Sequence, residues 1–409
     1  MDLTYSEQYQ AFRQEVQRFI AEHRHLAPKE IGLERPSEEQ KRWQRLLIEH
    51  GYAARTIPKE YGGFGAPMDV LEQFIIADEF STAGVSQGLS GQGIAMLVPT
   101  LLELGTEEQK KRYIPPTIRG DMIWCQGYSE PNAGSDLASL RTSARVEGDF
   151  FVINGQKIWT SSAHFADMMF CLVRTEPDAP KHKGISYLLI PMTTPGIEVR
   201  PLMTMTGDAI FNEVFFTDVK VPITNIVGQR GEGWKVANAT LIYERGMLGD
   251  PNQTTNFFKR LVEVLQRETI AGESVMTRQP QLRERLLRLQ GRVLAMRFHG
   301  LRLLTHFAKM EMPGVAMLVV KLYGTVLNHE LAALAIDAMG ELGTLYDKDP
   351  MLRDDGLWQR WYMFSLGLII GGGTSQIQKN IISERGLGMP REPRSPEEIA
   401  ASTAKPSQS

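Results

Sequence analysis

The stretch GWKVANATLIYERGMLGD, residues 233–250, combines a helical pattern with one acid on an apolar face. Ala237, Leu241 and Leu248 recur at helical spacing, and Glu244 falls on the same stripe, three residues after Leu241. A carboxylate on such a face is costly unless it is paired or functional, and burial raises its pKa toward the range that suits a general base. Without other evidence, a structural ion pair with a nearby arginine is the better explanation.

A second set of polar residues lies at the end of a predicted strand in WCQGYSEPNAGSD, residues 124–136. Gln126, Tyr128 and Ser129 precede a turn that leads to Ser135. Backbone amides and short hydroxyls at a strand end can hydrogen-bond the polar edge of a flat ring. An edge strand that runs into an Asx turn has the same pattern, so both interpretations stay open.

A third set follows shortly afterwards in KIWTSSA, residues 157–163. Trp159 offers a large flat face, and Thr160 and Ser161 supply hydroxyls beside it. A tryptophan in isolation is more often a core residue than the wall of a cofactor site.

The fourth set is a run of three glycines, residues 371–373, followed by the uncharged side chains of Thr374 and Gln376. No P-loop, HExxH or GxSxG motif is present, and no cysteine and histidine set has the spacing of metal ligands. What remains is polar residues presented by strands and glycine loops. That arrangement suits a bound organic cofactor.

The elements that must position these residues fall into three zones and a tail. Residues 1–120 have helical periodicity, residues 121–231 hold short β-branched and aromatic runs between turn residues, and residues 232–391 are helical again. Residues 392–409 are rich in proline and serine with almost no large apolar side chain, which predicts a disordered tail.

The middle zone predicts a small barrel or sandwich, because its strands follow one another without intervening helices. Asn154-Gly155 between FVI and QKIW is a strong signal for a two-residue hairpin turn.

Composition excludes several other classes of protein. The chain of 409 residues is too long for one ordinary core, and its net charge of −3 without a basic stripe argues against nucleic acid as a partner. Two cysteines form no disulfide or metal framework, which fits a reducing compartment. The N-terminus is not a secretory signal and no segment is long enough to span a membrane, so we expect a cytoplasmic protein.

Several stretches together resemble the acyl-CoA dehydrogenase family. GYSEPNAGSD, INGQKIWTSSA and GTSQIQKNIISERGLGMPR resemble signatures of that family, in the family's order. The YGGFG loop and FNEVFFTDVKVP also lie where the family has similar segments, and the resemblance extends from about residue 4 to residue 391. It implies an α+β protein, mainly α, with an N-terminal helical domain, a central β-barrel and a C-terminal four-helix bundle.

The resemblance also implies FAD, held in the crevice between barrel and bundle and partly contacted by a neighbouring subunit. The glycine run fits this role, since it lets backbone approach a ligand closely and a following helix N-terminus favours phosphate. Ser135 would lie along the pantetheine of an acyl-CoA. Matched to the family's FAD contacts are Gln126, Tyr128, Ser129, Trp159, Ser161 (or Thr160 if the register shifts), Thr374 and Gln376.

One departure from the family concerns the catalytic base. Many members carry a glutamate two residues before the threonine of the C-terminal signature, where this chain has Gly372. The isovaleryl-type and long-chain members carry the base on the helix after the barrel, and Glu244 matches that position, with Arg245 beside it and expected at the substrate.

Two further departures concern FAD contacts. The usual Arg-x-x-Phe-Gly segment is replaced by MTRQPQLRERL, where Arg278 is the candidate for a contact to the FAD diphosphate of a neighbouring subunit. DAMGELG stands where Gln-x-x-Gly-Gly is typical, so a contact near Asp337 and Gly340 is in doubt.

By resemblance, the activity is α,β-dehydrogenation of an acyl-CoA to the trans-2-enoyl-CoA. Glu244 would take the α-proton, FAD the β-hydride, and electron-transfer flavoprotein the electrons, in a homodimer, a homotetramer or a heteromer. Two alternatives stay open. One is a flavin-binding or structural partner subunit of a heteromeric dehydrogenase, and the other is a flavin oxidase or monooxygenase of the same fold.

Overall fold

In the computed structural model, the described residues are 5–29, 34–247, 251–309, 311 and 314–390, without the side chains of residues 244–247. The predicted disordered tail, residues 392–409, lies outside them. The α-helices are α1 (Glu7–His23), α2 (Glu38–Glu49), α3 (Val70–Ala83), α4 (Val98–Leu104), α5 (Glu107–Ile118), α6 (Gly233–Met247), α7 (Pro251–Arg267), α8 (Val275–Arg278), α9 (Pro280–Ala308), α10 (Ala316–Met339), α11 (Leu357–Ile370) and α12 (Ser375–Ile381).

The β-strands lie between α5 and α6, apart from one small hairpin inside the C-terminal domain. They are β1 (Trp124–Gly127), β2 (Ser143–Glu147), β3 (Phe150–Lys157), β4 (Met168–Arg174), β5 (Ile185–Pro191), β6 (Ile197–Leu202), β7 (Phe211–Pro222), β8 (Ile226–Val227), β9 (Thr269–Ile270) and β10 (Glu273–Ser274). The predicted order of helices, strands and helices is confirmed.

Three of the N-terminal helices, α2, α3 and α5, begin at side-chain caps that the sequence encodes locally. Ser37 and Gln40 form a reciprocal capping box at α2, and Thr106 and Gln109 form another at α5. Asp69 caps α3 through the backbone N–H groups of its first turn. These helices bury an aromatic core that includes Phe19, Trp43, Tyr52 and Phe80.

The middle domain is an eight-stranded sheet with the order β6-β7-β3-β2-β4-β5-β8, in which β1 pairs in parallel with β4 as a branch. β4 and β5 are buried on both faces, because one face packs inside the domain and the other packs against helices. Such strands show continuous apolar runs instead of alternation.

The predicted hairpin turn at Asn154-Gly155 is wrong. β3 runs through both residues, and its register against β7 shifts between Ile153 and Gly155, which is a β-bulge. The turn of that hairpin lies earlier, at Gly148 and Asp149, between the paired residues at the ends of β2 and β3. Asn154 is instead fixed by Asp218 of β7, a contact that local sequence does not reveal.

The C-terminal domain is a bundle of α7, α9, α10 and α11 around its own apolar core, which contains Leu261, Leu289, Leu331 and Trp358. Helix α6 differs from these four helices. Its residues Val236 and Ala237 belong to the core that α4 and β5 share.

Helix α6 lies so close to β5 that its first residue must be glycine. A Cβ on Gly233 would lie 2.5 Å from the Ser186 carbonyl carbon. The proposed base at position 244 is thus carried on a helix that packs against the sheet.

Both cysteines, Cys125 and Cys171, are buried in the sheet, where burial raises the pKa of each thiol. Among the described residues, no helix is long and apolar enough to cross a membrane. The cytoplasmic location stays a prediction.

Candidate functional site

The end of β1 is held by a buried ion pair. Lys157 of β3 is fully buried, and its Nζ donates to Glu130 Oε1 at 2.8 Å and to the Tyr128 carbonyl at 3.1 Å. The Ile158 N–H donates to the Ser129 carbonyl at 2.9 Å, so the two motif stretches lie side by side. Tyr128 and Ser129, predicted as cofactor contacts, therefore sit on a rigid strand end.

Glu130 also organises the turn that follows. Its carboxylate accepts the backbone N–H groups of Arg141 at 2.6 Å and Thr142 at 2.9 Å. Burial acts to raise the pKa of Glu130, but the charge of Lys157 and these hydrogen bonds outweigh it, so the pKa lies below the ordinary value. The carboxylate is accordingly held as an anion by Lys157 and by the two backbone N–H groups.

Trp159 is exposed in an unusual backbone conformation. Its φ is 58° and 58% of the residue is accessible, while its ring packs edge-on with Phe211 at a centroid distance of 6.0 Å. Paired backbone hydrogen bonds between Thr160 and Asn212, both 3.0 Å, hold the segment. The next residue, Ser161, is half-buried. The tryptophan is not a core residue here, and its flat face is available to a ligand.

The glycine run forms a loop between α11 and α12, with φ of 63° at Gly372 and 89° at Gly373. Lys321, a buried lysine of α10, donates to the carbonyls of Ile369 at 2.9 Å and Gly373 at 2.6 Å. Gln378 donates to the Gly372 carbonyl at 3.0 Å. These bonds leave the loop backbone fixed.

The two FAD-contact candidates after the loop differ in exposure. Thr374 caps α12 by accepting the Ile377 N–H at 3.2 Å, while Gln376 is exposed. The vacated base position, Gly372, has a left-handed backbone that a glutamate would adopt only with strain.

The remaining candidates are spread over the surface and α6. Ser135 is exposed on the turn after the strand end. Arg278 is half exposed on α8 and forms an ion pair with Glu273 at 3.0 Å. Glu244 and Arg245 lie in α6, but their side chains are outside the described residues.

The DAMGELG segment, which begins in the last turn of α10, has a partner of its own at Asp337. Asp337 pairs with Arg285 of α9 at 2.6 Å, and Gly340 has a φ of 57°. No contact of Asp337 or Gly340 to a cofactor is proposed.

Three family models match this chain in succession. They are the acyl-CoA dehydrogenase N-terminal domain over residues 6–121, the middle domain over residues 125–219 and the C-terminal domain over residues 231–387. Acyl-CoA dehydrogenase IpdE1 of Mycolicibacterium smegmatis is 40% identical over 367 residues, covering 87% of this chain and 89% of that protein.

Solved structures agree with these matches. The ChsE4-ChsE5 complex from Mycobacterium tuberculosis superposes with a TM-score of 0.80 at 32% identity, covering 96% of this chain and 100% of that chain. The Tcur3481-Tcur3483 steroid ACAD superposes with a TM-score of 0.80 at 31% identity and the same coverage. The chain belongs to the acyl-CoA dehydrogenase family, a family of oxidoreductases whose cofactor is FAD.

The residues present fit FAD. Several buried polar atoms of the described residues have no hydrogen-bond partner, and three of them lie in or beside the predicted contact stretches: Gln126 Nε2, Thr160 Oγ1 and Gln378 Oε1. Buried polar atoms are almost always paired, so unpaired ones beside the predicted contacts indicate a missing ligand. The exposed face of Trp159 suits a flat ring, and the positive-φ loop leaves its backbone open to a polar chain.

Sequence reasoning missed several residues that organise this site. Glu130 and Lys157 stand 27 positions apart, and Lys321 and Gly373 are 52 apart. Their only sequence signal is a lysine inside an apolar run, as in AMLVVKLYG. Gln92 was also missed: its Nε2 lies 3.4 Å from Gln126 Oε1.

Proposed function

We propose that this protein catalyses the FAD-dependent α,β-dehydrogenation of an acyl-CoA thioester, with Glu244 as the base that removes the α-proton. Two sequence features together carry the proposal. Gly372 stands where many relatives keep the acid, and an acid is present instead on α6, at position 244. Ala237 and Thr240, seven and four residues before position 244, are buried against the sheet side of that helix. The helical period therefore directs position 244 toward the same side.

The chain's own residues have distinct tasks in this reaction. FAD, when bound, supplies the hydride acceptor. Gln126, Tyr128 and Ser129 would hold the polar edge of its ring, Trp159 and Ser161 would flank it, and Thr374 and Gln376 would hold its ribityl and diphosphate portion. Arg278 would reach the diphosphate in a neighbouring subunit. Glu244 would accept the α-proton on a carboxylate oxygen, a step worth on the order of 10² to 10⁴ in rate.

A surface hollow at the start of α6 suits the nucleotide end of an acyl-CoA. Its lining includes Lys183, Lys235 and Trp234, whose ring lies 5.0 Å from that of His182. Ammonium groups attract phosphates, and aromatic rings stack on an adenine. Ser135 and Arg245 would then contact the substrate between this hollow and the base.

We propose a steroid-derived acyl group as the substrate class, because one structure at 31% identity is described as a steroid ACAD. The electron acceptor would be electron-transfer flavoprotein, and FAD sites would be completed between subunits.

The decisive test is Glu244→Gln, which keeps shape and hydrogen bonding but removes basicity. Flavin content and stability should match the wild type, while anaerobic bleaching of the flavin by the best acyl-CoA of a straight-chain, branched and steroid side-chain panel falls by on the order of 10² or more. Glu263→Gln, an exposed acid of α7, is the control and should bleach normally. Near-normal bleaching by Glu244→Gln would remove it as the base.

A second candidate is a subunit of a heteromeric dehydrogenase. It is favoured by the two solved relatives whose descriptions name two components. In that case the chain purified alone would be colourless and would become yellow and active only with a second chain. A yellow, active single-chain preparation would exclude this candidate, whereas absence of flavin both with and without a partner would contradict FAD binding itself.

A further inference from the structure

Three buried hydroxyls, those of Tyr187, Thr240 and Thr100, link β5 to α6 and then to α4, next to the strand end at the proposed flavin site. Tyr128 of that strand end packs edge-on against the Tyr187 ring at a centroid distance of 6.3 Å, and the Tyr187 hydroxyl lies 3.5 Å from Thr240 Oγ1. Thr240 Oγ1 lies 3.0 Å from Thr100 Oγ1, which donates to the Met96 carbonyl at 2.7 Å. This row of hydroxyls thus joins all three domains, and one of its ends lies beside a predicted flavin contact.

Burial makes these contacts specific. Tyr187, Thr240 and Thr100 are fully buried, and Tyr128 is 5% exposed. A buried hydroxyl without a partner costs about 1–3 kcal/mol, and the Tyr187 hydroxyl has Thr240 Oγ1 within hydrogen-bond distance. Burial raises the pKa of Tyr187 far above the working range despite its hydrogen bond with Thr240, and the phenol therefore stays protonated.

The position of Thr240 connects the row of hydroxyls with the proposed reaction. Thr240 lies on α6 one helical turn before position 244, and its hydroxyl also lies 3.0 Å from the Val236 carbonyl. A helix is stiff over one turn, so fixing Thr240 against the sheet fixes the backbone at position 244 as well.

We propose that the hydroxyls of Tyr187, Thr240 and Thr100, together with the edge-on packing of Tyr128 on Tyr187, form a positioning element that sets α6, and with it the base, against the flavin site. Thr100, Tyr187 and Thr240 act through Tyr128 and Glu244 and are positioning residues. The proposal rests on the proposed function, in which Glu244 is the base and Tyr128 a flavin contact. Simple core packing is the competing explanation, and it requires the shape of these side chains but not their oxygens.

Isosteric variants separate the two explanations. Thr240→Val and Tyr187→Phe remove one hydroxyl each, and Thr240→Ser retains it. The control is Thr325→Val in α10: this threonine is equally buried and bonds the Lys321 carbonyl at 2.8 Å, four residues back, as Thr240 does with Val236. Both valine variants lose such a bond, but only Thr240 also meets two further hydroxyls.

The first measurement is anaerobic flavin bleaching of the full-length FAD-loaded chain, with its partner if one is required. The probe is the acyl-CoA that bleaches the wild type fastest. Thr240→Val and Tyr187→Phe should each slow bleaching roughly ten-fold, which matches one hydrogen bond, and the double variant should be no slower than about the slower single variant. Thr325→Val should stay within about two-fold of wild type, and Thr240→Ser should recover most of the rate.

The second measurement is the dissociation constant of FAD, which needs no substrate. Thr240→Val and Tyr187→Phe should raise it about three- to ten-fold, with thermal stability equal to that of Thr325→Val. If the wild type binds FAD but bleaches with no acyl-CoA, the proposed function fails and this measurement alone decides. The proposal is overturned if Thr240→Val and Tyr187→Phe have bleaching rates and FAD affinities like those of Thr325→Val. It is also overturned if the rate loss of the double variant equals the product of the two single losses. If Thr240→Val does not fold, Tyr187→Phe and Thr240→Ser decide by the same criteria.

Discussion

Trp159 combines two features that folding does not favour, a left-handed backbone and a large exposed aromatic face. Strained residues persist where the surrounding structure fixes them, and they cluster at ligand sites. The hydrogen bonds of Thr160 with Asn212 supply that constraint. We therefore propose that Trp159 contacts a ligand at some cost in stability.

Trp159→Gly tests whether Trp159 lowers stability and raises the affinity for FAD. Glycine adopts a φ of 58° without strain, so the apoprotein should be as stable as wild type or up to about 1 kcal/mol more stable in urea unfolding. The FAD dissociation constant should rise about ten-fold or more, because the aromatic face is lost. Lys348→Gly is the control at an exposed φ of 57°, and it should leave FAD affinity unchanged. Equal FAD affinities would show that Trp159 does not contact the flavin.

The Lys157–Glu130 pair predicts a defined dependence of stability on pH. The pKa of Glu130 is lower when folded than the ordinary value of 4.5, so its contribution is complete above that value and is lost as the pH falls below it. Urea unfolding between pH 6 and pH 3 should show this loss in the wild type and a smaller slope in Glu130→Gln. An unchanged slope would mean that Glu130 is not held as an anion.

Lys157→Met would leave the carboxylate buried without its counter-charge. We expect a loss of about 3–5 kcal/mol, as for other broken buried pairs. The double variant with Glu130→Gln should lose less than the sum of the single variants. A fully additive double variant would contradict a direct interaction.

At the scale of elements, a glycine inside α11 and a glycine in the loop that follows it have different structural roles. Gly367 is inside α11 and a Cβ there meets nothing within 4 Å, while a Cβ on Gly373 would lie 2.8 Å from Gln378 Nε2 at a φ of 89°. Gln378 in turn holds the Gly372 carbonyl. Only the second glycine is required by the loop.

Alanine at the two positions should therefore have opposite effects. Gly367→Ala should stabilise the protein by about 0.5–1 kcal/mol, since alanine favours a helix. Gly373→Ala should destabilise it and weaken FAD binding at least several-fold, because the loop must move away from its Lys321 and Gln378 contacts. Thermal unfolding and FAD titration measure both effects, and similar values for the two variants would refute this account of the loop.

The elements also show where sequence patterns suffice. Strand runs and the Tyr128–Ser129 strand end depend on neighbours in the chain, and these were predicted. Asn154-Gly155 has the residues of a tight turn, but pairing with β7 keeps it inside a strand as a bulge. The Lys157–Glu130 pair and the row of hydroxyls were not predictable, because each joins residues that only the tertiary fold brings together.

At the scale of the whole molecule, α9 carries an apolar stripe on its outer face. Leu287, Leu294 and Phe298 are 59%, 43% and 62% exposed and recur at intervals of seven and four residues. A stripe of this kind is more typical of an interface than of a surface in water. It is the face on which we expect a second copy of the chain to pack.

Light scattering of the FAD-loaded protein should give a dimer or a larger assembly. Leu294→Glu combined with Phe298→Glu should shift it toward monomer and release FAD, because charges are costly in an apolar interface. Met351→Glu, at another exposed apolar residue, should have neither effect. A strictly monomeric species that is fully flavinylated and active would contradict the assembly and the shared site.

The packing of α6 also bears on how such chains can recombine. The matched C-terminal domain begins at residue 231, yet Val236 and Ala237 belong to the core formed with α4 and β5. In the described part of the chain, the first buried member of the bundle core is Leu261 of α7. A crossover between two relatives at residue 231 would pair one parent's base helix with the other parent's sheet. A crossover ahead of α7 would keep α6, which carries the proposed base, together with the sheet against which it packs. For recombination, the unit that includes the proposed base thus ends one helix later than the family boundary.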